Sequence, residues 1–219
     1  MSWRPCHEQV LDIGANWKLV SENFQEYYHL GWVHPELAKV SRVADHYRYQ
    51  GPGMYCGQTT TPVSGDERGE WLALPAAAGL DSSDGVSGRH LAIFPNVIVS
   101  ILPNHAWVMR LEPIAPGVTR ETCTMLVPGS TGPVDPGAYG PTLDFWLEVN
   151  AEDVDIVQRG QRGLERGSVP AGPLAPRFEE PLHRFHNMLA DLFTLDSVAD
   201  LVVPGGDDPA SEADRLGTG

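Results

Sequence analysis

The sequence predicts an α+β domain whose helices are segregated against one antiparallel sheet. Two observations lead there. Strand-like stretches follow one another between residues 46 and 127, separated by Gly51-Pro52-Gly53, Pro103-Asn104 and Pro116-Gly117 in the manner of a meander. Helical periodicity lies on either side of them, once near the N-terminus and twice after residue 141.

In chain order, residues 1–14 read as an opening strand or loop. From Asn16 apolar residues recur at helical spacing through Trp17, Val20, Phe24 and Tyr27/Tyr28, up to Gly31 and Pro35, where a helix breaks or ends. Residues 46–61, with Tyr47, Tyr49, Tyr55 and a threonine run, read as strand around the Gly51-Pro52-Gly53 turn. Residues 62–88, rich in Gly, Ser, Ala and Asp, read as a long mobile loop or lid. Leu91–Leu102, Ala106–Ile114 and Thr119–Val127 read as three strands. A Pro- and Gly-rich linker over 128–141 leads into a helix at about 142–164, and after a loop at 165–178 a second amphipathic helix covers 179–195. The folded domain is expected over 1–203, with a disordered acidic tail over 204–219.

A chain of 219 residues is one good-sized domain, large enough to enclose a buried site. No apolar run approaches the length of about 18 residues that a membrane helix needs, and the N-terminus lacks a secretory signal. A soluble cytoplasmic protein is expected. The net charge of −14 leaves no basic patch to neutralise phosphates, which argues against a nucleic-acid partner. Cys6, Cys56 and Cys123 stand far apart and odd in number, without C-x-x-C, so they read as reduced thiols rather than a disulfide scaffold or zinc ribbon.

The chemistry concentrates between Asn16 and Pro35, where His29 and His34 stand as H-x4-H. On an unbroken helix such residues lie about 140° apart. Both can face one ion only if the helix loosens between them, which Gly31 and Pro35 permit. A third donor is available in the segment from Asp144 to Arg159. At about 100° per residue, Glu148, Glu152, Asp155 and Arg159 gather with Asp144 in one polar sector, whereas Asp153 falls among Trp146, Val149, Val154 and Val157. A carboxylate on a buried stripe is costly unless paired. A metal would pair with it, as would a cap or a salt-bridge partner. Two imidazoles and a carboxylate are the facial triad of non-haem Fe(II) oxygenases, which leaves positions open for O2; the same donors also suit catalytic zinc. Glu26 shares a stripe with Leu19, Asn23 and Leu30 and stands three residues before His29. It reads either as a carboxylate receiving the N–H of a metal-bound imidazole or as a surface glutamate. Glu26 and its polar neighbour Asn23 are the candidate catalytic residues.

Asn16-Trp17-Lys18, then Glu22-Asn23-Phe24, then Glu26-x-x-His29-x-Gly31-Trp32-x-His34 resemble the catalytic domain of the large subunit of Rieske ring-hydroxylating oxygenases. The resemblance runs on through His90-Leu-Ala-Ile-Phe-Pro-Asn96, Glu112-Pro-Ile-Ala-Pro116, Glu152-Asp153, Gln161-Arg-Gly-Leu164, Gly172-Pro-Leu-Ala-Pro176 and Leu182-His-Arg-Phe-His186. It implies a helix-grip (Bet v 1-like) fold enclosing a cavity, Fe(II) on His29, His34 and Asp153, and a homotrimer using O2. It casts Glu26 as the carboxylate linking the iron site to the Rieske cluster of a neighbouring subunit. Most of the family carries aspartate there. Glutamate resembles the branch acting on choline, betaine and carnitine, so the implied substrate is an aromatic or quaternary ammonium compound, hydroxylated on a ring or on an N- or O-methyl carbon.

The sequence departs from the family in having no C-x-H paired with a later C-x-x-H to hold a [2Fe–2S] cluster, since Cys6-His7 stands alone. Electrons are therefore expected from a reductase and a Rieske centre outside this chain. Trp32, Tyr28 and Tyr55 are candidate cavity aromatics. A non-catalytic helix-grip ligand-binding protein is the alternative. A zinc hydrolase ranks below both, because neither H-E-x-x-H nor a nucleophile elbow occurs.

Overall fold

Period-two alternation of apolar and polar side chains builds a seven-stranded antiparallel sheet, seen in a computed structural model that describes residues 2–60, 74–129, 135–167 and 170–205. The strands are β1 (Ser2–Ile13), β2 (His46–Arg48), β3 (Tyr55–Thr60), β4 (Gly88–Ile93), β5 (Val97–Ile101), β6 (Ala106–Ala115) and β7 (Val118–Gly129). Their order is β1-β7-β6-β5-β4-β3-β2, so β2 to β7 form a meander and the opening segment adds a strand beside β7. The stretch expected as one strand over Leu91–Leu102 is two. Pro95 offers no N–H to a ladder, and Asn96 anchors the reversal on β6 through its carbonyl and its Nδ2, which meet Leu111 N and O at 2.9 and 2.6 Å.

The helices are α1 (Trp17–Gln25), the single turns α2 (Leu30–Val33) and α3 (Leu37–Val40), α4 (Pro136–Glu165) and α5 (Glu180–Thr194). Asn16 caps α1, its side-chain oxygen accepting the Lys18 N–H at 3.0 Å. Asp135 caps α4 by accepting from Gly137 N at 2.9 Å, with Pro136 in the first turn. The helix therefore starts before Gly140-Pro141, which had suggested a linker, and its 30 residues run roughly 45 Å. Of the expected loop at 62–88, residues 74–87 are turns and irregular chain. Residues 62–73, part of the linker (130–134) and the tail from 206 onward lie outside the described residues.

The core lies between sheet and helices. Trp146, Val149 and Val157 of α4 and Val20 of α1 pack on Ile98, Trp107, Met109, Leu111, Cys123 and Met125 of the inner sheet face. The rings of Trp146 and Trp107 stack at 6.2 Å. A second cluster sets Phe185, Met188 and Leu189 of α5 on Cys56 and Ala92, with Trp17 of α1 edge-on to Phe185. Helix α1 is thus held between α4 and α5 over the sheet, the helix-grip arrangement. Backbone ties fix its entry: Gly14 N and Asn16 N donate to the side chains of Gln158 and Gln161 on α4 at 3.1 and 3.0 Å. The three cysteines are free thiols, Cys56 and Cys123 buried and Cys6 half-buried. No helix of the described residues is long and apolar enough to cross a membrane.

Three core imidazoles are held neutral by burial, with pKa values lowered from 6.5 to about 4 for His46 and about 3 for His90 and His105. In the unfolded chain each takes up a proton below about pH 6.5; in the fold it does not until far lower pH. Stability should therefore hold above that value and fall between about pH 6.5 and 4, by roughly 1.4 kcal/mol per pH unit for each histidine. Urea midpoints read at about pH 7, 6 and 5 check this, and a midpoint that stays level across the range contradicts it.

Candidate metal centre

Helix α1 stops at Gln25 because Glu26 turns extended, at φ −101° and ψ 159°. Its carboxylate then reaches forward. Oε2 accepts the backbone N–H groups of Tyr28 and His29 at 3.0 and 3.3 Å, and Oε1 takes the Nδ1 side of the His29 ring. One side chain thus caps the next turn and aims the imidazole. His29 and His34 sit at the two ends of α2, with His34 N–H donating to Leu30 O at 3.1 Å. The loosening expected at Gly31 lies instead at His34, where the turn ends at φ −119° and ψ 77°. Gly31 is inside the α2 turn, with open space where a Cβ would stand, so it is not what frees the chain.

Asp153 meets the pair from α4. His34 Nε2 lies 3.0 Å and His29 Nε2 3.8 Å from Asp153 Oδ1, and the two Nε2 atoms are 3.2 Å apart. One donor atom from each of the three residues lies within 4.8 Å of the other two, the only such convergence among the described residues. Asn23 Nδ2, on α1, donates to Asp153 Oδ1 at 2.6 Å and orients the carboxylate. Asp155 points away and pairs with Arg159 at 2.6 Å in solvent.

Glu152 is a residue the helical wheel misassigned. It was grouped with the outward polar sector, yet it is half-buried and its Oε2 lies 2.7 Å from His34 Nδ1. Two consecutive residues leave a helix about 100° apart, but the ring nitrogens of one imidazole face opposite ways, so Glu152 and Asp153 clasp His34 from both edges. Burial opposes charge on His34, which is 1% exposed, but the Asp153 and Glu152 carboxylates outweigh it and raise the pKa.

Carboxylates only accept, so with Nδ1 of each ring set against one, both Nδ1 atoms carry the hydrogen in the neutral state. Both Nε2 lone pairs and Asp153 Oδ1 then converge with no donor among them except Asn23. Such a set calls for a cation, and imidazole and carboxylate in this ratio suit Fe(II) with open positions.

A cavity of about 70 Å³ opens from these atoms to the sheet, walled by Phe24, Leu30, Trp107, Met109, Trp146 and Val149. The aromatics expected there do not line it. Trp32 is 93% exposed, Tyr28 is nearly half exposed and donates to Glu179 at 3.2 Å, and the Tyr55 hydroxyl accepts from Gly51 N at 2.6 Å. The walls come instead from α1 and α2 beside the histidines and from β6 and α4, far along the chain.

Residues 1–194 match the family described as the ring-hydroxylating alpha subunit, catalytic domain. The chain belongs to that family. Among curated relatives it is 26% identical over 191 residues to putrescine 2-hydroxylase of Ralstonia nicotianae, covering 82% of this chain and 52% of that protein. The fold is shared with a quaternary ammonium Rieske monooxygenase studied for carnitine oxidation (TM-score 0.65, 18% identity, 86% of this chain and 50% of that one). It is shared also with naphthalene 1,2-dioxygenase of Rhodococcus sp. bound to indole (TM-score 0.58, 15% identity, 93% and 51%). The chain spans about half the length of the curated relative it matches.

In the metal-free domain, Glu152→Gln removes one of the two carboxylates that raise the His34 pKa. The His34 pKa should drop, read from imidazole nitrogen shifts in a pH titration. An unchanged His34 titration would show that the clasp does not operate in solution.

Proposed function

We propose that residues 1–219 are the oxygen-activating part of a Rieske-type non-haem iron oxygenase that hydroxylates a ring carbon or an N- or O-methyl carbon of a small organic molecule. The observation that supports it is the convergence of His29 Nε2, His34 Nε2 and Asp153 Oδ1 in the lining of a cavity walled in large part by apolar side chains. Fe(II) held by these three atoms supplies O2 activation, with electrons from a [2Fe–2S] centre outside residues 1–219 that a reductase feeds.

The chain's own residues do the rest. Glu26 and Glu152 take the two Nδ1–H groups and hold both rings with Nε2 turned to the site. Asn23 fixes the Asp153 oxygen. Trp107, Met109, Trp146 and Val149 position the substrate and exclude water. Glu26 is buried, at 9% exposure, and the exposed Tyr28 and Trp32 follow it in the chain. That surface supports docking of a neighbouring subunit's Rieske domain within a homotrimer, with the electron passing through Glu26 and His29. Among relatives, putrescine and carnitine are both small nitrogen compounds, in keeping with a glutamate at position 26.

Loaded anaerobically with Fe(II), the protein should bind about one iron per chain. His29→Ala and His34→Ala should abolish binding and Asp153→Ala nearly so, while Asp155→Ala keeps the metal. Loss of iron from the Asp155 variant would sink the ligand assignment. With NADH and a flavin reductase alone, sustained oxidation should be absent; a supplied Rieske domain should start it, and Glu26→Gln should suppress it without losing iron. Steady turnover without any Rieske partner contradicts the electron route.

A further inference from the structure

The sheet wall of the cavity is polar across β2 to β5, through His46, Gln58, His90 and Ser100, and apolar on β6, through Trp107 and Met109. Directly paired residues on neighbouring antiparallel strands project to the same face. The pairings Gln58 with His90, His90 with Ser100 and Ser100 with Trp107 therefore set three polar side chains in a row beside a tryptophan. Two residues along, the matching row is Cys56, Ala92, Ile98, Met109 and Cys123. A buried polar row on an inner sheet face is costly unless every group is partnered.

Nearly every group is. Gln58 Nε2 donates to Phe24 O at 3.3 Å, which turns its Oε1 toward His46; His46 Nδ1–H donates to that oxygen at 2.6 Å, and His46 Nε2 accepts from the Ser41 hydroxyl at 2.7 Å. His90 stacks on His46 at 6.2 Å and shares its Nδ1 with Ser100 Oγ at 2.9 Å. Its Nε2 has no hydrogen-bond partner among the described residues. The His90 ring is part of the cavity lining. The Ser100 hydroxyl can donate or accept, so His90 can offer the cavity either an N–H or a lone pair.

Charge narrows what could meet that nitrogen. No lysine or arginine lines the cavity among the described residues, and its carboxylates, Glu26 and Asp153, both sit on the helix wall, engaged with His29, His34 and Asn23. Burial holds His46 and His90 neutral, with pKa values of about 4 and 3. An ammonium or a carboxylate against the sheet wall would lie desolvated without a counter-charge.

We propose that His90 Nε2 anchors an uncharged oxygen-bearing group of the substrate, a hydroxyl, carbonyl or amide, so that the cavity selects a small neutral molecule over ammonium and carboxylate ions. The word substrate rests on the oxygenase reading; the binding preference does not. Glu26 alone had pointed toward quaternary ammonium compounds, and the sheet wall points away from them.

The metal-free full chain is titrated with phenol, toluene, benzoate and benzylammonium, followed by the fluorescence of cavity residues Trp107 and Trp146. Phenol should bind at least tenfold more tightly than the other three, and His90→Phe should bring phenol and toluene level. In the unaltered protein, phenol should shift the ring-nitrogen signals of His90, a readout that stands if the variant fails to fold. Toluene or either ion binding as well as phenol, a preference that survives His90→Phe, an unmoved His90 signal, or no binding by any probe overturns the inference. Iron binding without the phenol preference defeats this inference alone; the preference without iron binding defeats the oxygenase reading alone.

Discussion

The Glu26 carboxylate governs the shape of the site, because it competes successfully with the helix for the backbone donors that follow it. By accepting from Tyr28 N and His29 N it ends α1 one turn short of where the apolar periodicity points, and its other oxygen fixes the His29 ring. The break frees the next turn from the axis of α1, but the angle between the two histidines is set within that turn, since residues five apart on a regular helix face different sides. His29 begins that turn and His34 ends it at φ −119° and ψ 77°, off helical geometry. A residue cast by sequence chiefly in electron transfer is thus also a piece of the local architecture, and substitutions there report on both roles unless the shape of the side chain is kept.

Helix α4 supplies the complementary half. It is anchored to the β1–α1 corner through Gln158 and Gln161 and to β7 through Asn150, which donates to Glu121 at 2.9 Å. Burial raises the pKa of both Glu121 and Cys123, which favours their neutral forms. Between those anchors, Glu152 and Asp153 close on His34 with no freedom to slide. The packing of Trp146 on Trp107 then sets the distance from helix to sheet, and hence the width of the cavity.

How much of this was legible in the sequence depended on whether a local rule carried it. Asp153 stood out because a carboxylate interrupted an apolar stripe, and the family motif around His29 and His34 fixed the fold and the metal-binding candidates. Glu152 was hidden because a helical wheel records the direction of Cα and ignores the reach of a long side chain. His46, Gln58, His90 and Ser100 carried no signal as a group, since their meeting depends on strand register between β3, β4 and β5. The same nonlocality put Tyr28, Trp32 and Tyr55 on the wrong side of the wall. Turn chemistry at Pro95-Asn96 divided a strand that apolar content alone made continuous.

The central claim is that three side chains from two separate elements, the α2 turn and α4, hold one iron. Crystals grown with Fe(II) and measured at the iron absorption edge test it most directly. The account predicts one anomalous peak per chain, bonded to His29 Nε2, His34 Nε2 and a carboxylate oxygen of Asp153, with Glu26 and Glu152 on the far sides of the two rings. A peak bonded instead by Glu152 or Asp155, or no peak between α2 and α4, would contradict it.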